Sequence, residues 1–417
     1  MKIVDGPKPR LLVLTSTFPR WSQDPEPPFV YELSRRLTER FAVTVLAPRA
    51  PGSLERESMG GVQVIRFPYF FKRWEHLATH GGGILSRLRS NPFYYLLVPL
   101  FLLGQLWALV RLLHREPFDV IHAHWLIPQG LIAVLARRLT NRAIPLVCTS
   151  HGGDLFALSG SLLRRVKQAV MNESAMVTVV SAAMRTECLT IGIDPIKIAV
   201  IPMGVDMQQH FTPDPLIQRS DDTLLFVGRL VEKKGLPLLL RAMPQILVSH
   251  PQTRLIIAGS GPLEAQLRRL TADLRIDAQV DFLGMIGQAA LPDLYRRATL
   301  FVAPFVVANG GDQEGLGLVL VEAAGCGCPL VCGRVPAVAD VIQDGLTGIL
   351  VDPHLTSEFA KTIIGLLADP EQRRRLAANA HQHCRAAFDW ASVTERYGQL
   401  LLRAADGSTL KADQIRS

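Results

Sequence analysis

The residues best placed to do chemistry lie in three loops. In VGRLVEKKG, at 227–235, an apolar run ends in Gly228 and Arg229, and Lys234 follows five residues later. Two permanent cations at the end of a strand could neutralise a diphosphate leaving group; a solvated charged turn accounts for them equally well. In GGDQEGLGLVLVEAAGCGCP, at 310–329, Glu314 sits in a glycine-flanked loop, and Glu322 lies inside an apolar run expected to be a helix from near Leu316. The backbone N–H groups of Gly315, Leu316, Gly317 and Leu318 would face an anion at that helix start, and glycine permits close approach. Eight helical residues rise about 12 Å, so the two carboxylates could hold opposite ends of one extended ligand. The plainer readings are a surface acid for Glu314 and a first-turn acid for Glu322. A Glu within an otherwise apolar helix is uncommon, which tips Glu322 towards function.

The third loop is TSHGGD, at 149–154, where His151 closes a strand and could hydrogen-bond a ligand hydroxyl or cap a turn. His122 and His124, in IHAHW, read as strand-end packing rather than site residues. No G-x-S-x-G elbow is present, which sets aside a Ser-His-Asp hydrolase. No Asp-x-Asp triplet occurs either, so a metal-bridged diphosphate is disfavoured and no metal is expected. Cys326, Cys328 and Cys332 crowd into GCGCPLVCG without a second ligand pair at zinc spacing, and read as buried apolar residues.

Positioning such loops takes a regular frame. Apolar runs at 10–16, 41–47, 118–125, 144–151, 175–181 and 197–204 alternate with helical periods at 30–40, 129–139 and 161–172. A second series runs through 223–229, 254–260, 280–284, 300–304 and 329–333. Continuous apolar runs separated by helices predict parallel strands with crossover helices, hence two doubly wound α/β domains. With 417 residues, 48% of them hydrophobic, the chain can bury more than one core. The stretch 206–222, rich in Pro and Asp, is the expected linker. Ligands of such sheets bind outside the carboxyl ends of the strands, in a cleft the two domains are expected to share.

The net charge is +8, and residues 1–210 hold the excess, with 24 Lys and Arg against 15 acids. That suits an anionic partner such as a lipid headgroup; a scattered surface excess explains it as readily. The uncharged run FYYLLVPLFLLGQLWALV, at 93–110, is bordered by Lys72, Arg73, Arg87, Arg89, Arg111 and Arg115, with Glu75 the single acid between 72 and 115. An element lying in a bilayer interface fits best, a helix in a soluble core nearly as well, and a transmembrane span third. The first residues lack an apolar stretch of secretory length, so a cytoplasmic protein, peripheral on the inner face of the cell membrane, is expected.

Taken together, GRLVEKKG, AGSGP (258–262), EGLGLVLVEAAGCGCP and VPAVADVIQDGLTGILVDP (335–353) resemble the retaining family-4 glycosyltransferases of GT-B fold, specifically over about 220–392. The first half is similar more loosely, through FDVIHAHW, TSHGGD and VVSAAM. The resemblance implies two Rossmann-like domains: an acceptor-binding one at 1–205 and a nucleotide-sugar-binding one at 223–386. A helix at 387–404 would cross back to the first, ahead of a flexible tail at 405–417. It implies that Arg229 and Lys234 bind donor phosphates, Glu322 the ribose, and Glu314 the transferred sugar with the amides of 315–318. His151 would sit near the reacting centre, and Gly259, Gly261 and Met285 would lie around the nucleotide. The implied partners are a UDP- or GDP-linked sugar and a lipid-linked or saccharide acceptor, with no cofactor and no nucleic acid. A nucleotide-sugar 2-epimerase of the same fold is the alternative. Two departures stand out: the first strand-helix loop (16–33) lacks the Gly-Gly pair of many members, and the family's EGxP reads EGLG, with Gly317 in place of Pro.

Overall fold

The structure, a computed structural model, describes residues 7–21, 24, 29–78, 84, 87, 88, 91–158 and 160–407. Arg89, part of the 16–33 loop and most of the expected tail lie outside these. The chain divides into two compact units, one of Met1–Val180, Met184–Ile201 and Thr394–Ser417, the other of Ser181–Ala183 and Pro202–Val393.

The first unit is built on an eight-stranded sheet in the order β3-β4-β2-β1-β5-β6-β7-β8. Its strands are β1 (Arg10–Leu14), β2 (Ala42–Pro48), β3 (Arg56–Met59), β4 (Val62–Phe67), β5 (Val120–His124), β6 (Leu146–Ser150), β7 (Met176–Val179) and β8 (Ile198–Val200). All neighbours pair in parallel except β3 with β4. Leu11, Leu12 and Leu14 on β1 are wholly buried, as a central strand covered on both faces requires. The hairpin β3–β4 is absent from the sequence-based expectation: RESM is a polar edge strand with no apolar pattern, and the hairpin's signals are the alternation of VQVIRF and Gly60-Gly61, both at positive φ, in the turn.

The second unit carries a six-stranded, all-parallel sheet, β11-β10-β9-β12-β13-β14. Its strands are β9 (Thr223–Val227), β10 (Arg254–Ala258), β11 (Val280–Gly284), β12 (Leu300–Ala303), β13 (Leu330–Gly333) and β14 (Ile349–Val351). Both units thus have the expected doubly wound plan.

The stretch 206–222 is no free linker but part of the second unit. Phe211 is buried, and the Arg219 guanidinium donates to the carbonyls of Tyr295 at 3.0 Å and Gly327 at 2.8 Å. Pro and Asp marked its turns correctly, yet turns can still be packed against a core. The closing helix starts at Trp390 rather than 387, after the helix Pro370–Phe388 has ended. From Thr394 on it belongs to the first unit, where Tyr397, Leu400 and Leu401 are wholly buried and the Tyr397 hydroxyl donates to Ile201 O at 3.2 Å.

Candidate active site

In the second unit the loops after β9 and β10 meet backbone to backbone. Gly228 N–H donates to Ala258 O at 3.0 Å, and Leu230 N–H to Ser260 O at 3.0 Å. A Cβ on Gly259 would stand 1.9 Å from Gly228 O, and one on Gly261 2.5 Å from Leu230 O, so these positions must be glycine. Gly235, at φ +65°, closes the turn that carries Lys234, and a Cβ there would meet Pro304 O at 1.7 Å. These approaches fix where Lys234 points.

The Lys234 ammonium lies 3.0 Å from Glu314 Oε2 and 4.3 Å from the centre of the Phe305 ring. Lys233, which the sequence reading passed over, ties the same loop down: its Nζ is 3.1 Å from Asp312 Oδ1, 3.1 Å from Gln313 O and 3.7 Å from Glu314 Oε1. Burial pushes the Glu314 carboxyl up, and Lys234 and Lys233 together outweigh it, so Glu314 ends below its ordinary value. Glu322 is buried and accepts from the Tyr295 hydroxyl at 2.9 Å. Burial raises its pKa to about 7, against the opposing pull of Tyr295 and of Lys234. Lys234 is therefore within electrostatic reach of both acids.

The helix behind Glu314 is Leu318–Gly325, two residues later than expected, with Gly317 as its N-cap at φ +85°. Proline, fixed near −65°, cannot take that conformation, so the cap as it stands here needs a residue other than the family's Pro. The amides of Leu318 and Val319 lie in a first turn where no helical carbonyl can reach them. Gly315 and Leu316 precede the cap, and Leu316 is buried. Arg229 is exposed on the loop after β9, and Met285, 77% exposed, follows β11. The structure thus groups Lys234, Glu314 and Glu322, with Gly315–Leu318 beside them in sequence.

In the first unit His151 follows β6 and does not stand alone. Its Nε2 is 3.0 Å from His124 Nδ1, and the two rings stack at 5.2 Å with 11° between their planes. His122, alongside, bonds Thr149 Oγ1 through Nε2 at 2.7 Å. His124, expected from the sequence to pack at the strand end, is buried there and also hydrogen-bonds the ring of His151. Burial depresses all three imidazoles, His122 and His151 to about 3, so the cluster is neutral near pH 7. Buried Asp154 organises the loop: Oδ1 accepts from Ser150 Oγ at 2.9 Å and His151 N at 3.2 Å, and Oδ2 from Leu126 N at 2.7 Å. Lys233, His124 and Asp154 lie within the motifs GRLVEKKG, FDVIHAHW and TSHGGD without standing out there as site residues, and Tyr295 lies in no motif. Among the described residues no group of three or more His, Cys, Asp or Glu is arranged to hold a metal ion.

Residues 208–383 match the family described as Glycosyl transferases group 1, and residues 28–209 match Glycosyltransferase Family 4. The chain is 34% identical over 310 residues to a D-inositol 3-phosphate glycosyltransferase of Frankia alni, covering 67% of this chain and 73% of that one. It is 29% identical over 386 residues to a GDP-mannose-dependent alpha-(1-6)-phosphatidylinositol monomannoside mannosyltransferase of Mycolicibacterium smegmatis, covering 89% and 92%. Among solved structures, sucrose-phosphate synthase of Thermosynechococcus elongatus shares the fold with a TM-score of 0.76 at 22% identity, over 96% of this chain and 100% of that one. HepE of Anabaena, solved with UDP and glucose, gives 0.70 at 20% identity, over 94% and 99%. The chain belongs to the group 1, family-4 glycosyltransferases, and its two units are the paired α/β domains of the GT-B fold. It is a glycosyltransferase.

Proposed function

We propose that the protein transfers a hexose from a nucleotide diphosphate sugar, with retention of configuration, to a lipid-linked or polysaccharide-precursor hydroxyl at the cytoplasmic face of a membrane. The observation that carries the donor side of this reading is the Lys234 ammonium, 3.0 Å from Glu314 and in electrostatic reach of the buried Glu322. Lys234, Arg229 and the amides of Leu318 and Val319 meet the donor diphosphate. Glu322 receives the ribose hydroxyls, and Glu314, ionised, holds hydroxyls of the transferred sugar with help from Gly315 to Leu318. Gly259, Gly261 and Met285 lie towards the nucleotide. His151, neutral, supplies a hydrogen bond at the reacting centre.

As the bond from the anomeric carbon to the phosphate oxygen breaks, negative charge develops on the diphosphate and the fixed cations stabilise it. The acceptor oxygen attacks from the face the phosphate leaves, and its proton passes to the departing phosphate oxygen. No enzyme nucleophile is needed, and no metal, because side-chain cations already face the leaving group. The names of relatives such as the mycolicibacterial mannosyltransferase favour GDP-mannose as the first donor to try.

The test is a panel of nucleotide sugars. The true donor at 100 times its dissociation constant should add about 2.7 kcal/mol against thermal unfolding. With that donor, Glu314→Ala should lower turnover at least about ten-fold, roughly 1.4 kcal/mol of barrier, while activity survives chelation by EDTA. A folded Glu314→Ala variant that turns over normally, or activity lost to EDTA and restored by manganese, would overturn the assignment.

A further inference from the structure

The helix Leu97–Arg115 has two unlike faces. Leu97, Phe101, Gln105, Leu109, Leu112 and Leu113 form a buried stripe, packed against the helix Leu131–Thr140 and β4. The packing is close: a Cβ on Gly104 would stand 2.6 Å from Pro68 O. The opposite face is apolar and uncovered, with Leu96 at 65%, Leu103 at 62% and Trp107 at 58% exposure. A second segment extends it. Phe71 is 71% exposed and Trp74 47%, and the Trp74 ring lies 6.5 Å from that of Phe93, itself 50% exposed.

Cations edge this surface. Exposed Lys72 and Arg73 sit in the turn Lys72–Trp74, and Arg111 lies 5.2 Å from the Trp107 ring centre. The one acid between residues 72 and 115 is withdrawn: Glu75 is fully buried, accepting from Tyr69 N at 2.7 Å, Phe70 N at 3.0 Å and Arg49 Nε at 2.6 Å. Exposed aromatic and aliphatic side chains edged by Lys72, Arg73 and Arg111, with the nearby exposed Glu55 paired to Arg49 at 2.9 Å, match the headgroup boundary of an anionic bilayer, where Trp favours the interface and each nearby Lys or Arg adds attraction.

We propose that the faces of 70–74 and 93–107 are a single docking surface for anionic lipid bilayers, on which the helix lies flat without crossing. The segment Pro92–Arg115 is long and apolar enough to span. Spanning would strip its buried stripe, Gln105 included, from the first unit, and that packing is what holds the helix along the surface. The membrane-facing reading of function would act through this surface, yet vesicle binding needs neither donor nor acceptor, so the two stand or fall separately.

The experiment is co-sedimentation of the full chain with vesicles of phosphatidylcholine, alone or mixed with phosphatidylglycerol. Binding should need the anionic lipid, weaken with salt, and blue-shift tryptophan fluorescence. Replacing Lys72, Arg73 and Arg111 with Ser should weaken binding about five-fold per cation, from about 1 kcal/mol each. Trp74→Ser with Trp107→Ser should weaken it further, with circular dichroism and melting temperature unchanged. Three results would overturn the proposal: binding indifferent to lipid charge and to these changes, release from cell membranes by detergent alone, or no vesicle binding together with dimerisation that Trp107→Ser abolishes.

Discussion

Glu322 is a carboxylate held where charge is costly, and its titration makes the nucleotide reading testable. Its pKa is raised to about 7, so the folded protein holds that proton more tightly than the unfolded chain does. The resulting stability is complete below the ordinary carboxylate range and is lost as pH rises through about 7. Ribose hydroxyls, as donors, prefer the ionised form. Donor affinity should therefore increase between pH 6 and pH 8, and Glu322→Gln should remove that dependence, weaken donor binding and leave the ligand-free protein at least as heat-stable at pH 8. Isothermal titration and melting curves across that range check it; an unchanged pH profile in the Gln variant would count against the role. Glu322, Glu314 and Lys234 were legible in the sequence because charge stands out in an apolar or glycine-rich setting. Tyr295 and His124 were not, since each matters through a partner 27 residues distant in the chain that only the fold brings close.

Parallel strands announced themselves as unbroken apolar runs, and the structure has a strand at every run named. What did not show was where helices begin, because that depends on single backbone angles. The helix expected near Leu316 starts at Leu318, since Gly317 at φ +85° must turn the chain first. Writing the family's proline back, Gly317→Pro, should accordingly harm this protein: the ring cannot reach that angle, and stability should fall by more than about 1 kcal/mol, with weaker donor binding as the first-turn amides shift. Chemical denaturation and donor titration read both effects; a variant as stable as the parent would mean that the cap can reverse its conformation freely. The segment 206–222 failed for a related reason: composition marks turns but does not say whether Phe211 and Arg219 are anchored.

At the scale of the molecule, the two units differ in how the chain supplies them. The second is nearly contiguous, from Pro202 to Val393, whereas the first needs the segment from Thr394 onward. Ending the chain at Val393 should cripple the first unit selectively, because Tyr397, Leu400 and Leu401 would leave voids in its core, each costing about 2 to 5 kcal/mol. The second unit should keep its cooperative transition and its response to donor. Hydrogen exchange resolved by peptide would show protection lost in β1, β5 and β6 but kept in β9 and β12; uniform loss would mean that neither unit stands without the other.

The same arrangement reverses the order in which the protein matures on the ribosome. Residues 202–393, which with Ser181–Ala183 make up the second unit, emerge while the first unit still waits for the segment from Thr394 onward. The amino-terminal half, although made first, is finished last, and its open core is the part on which chaperones would act during synthesis.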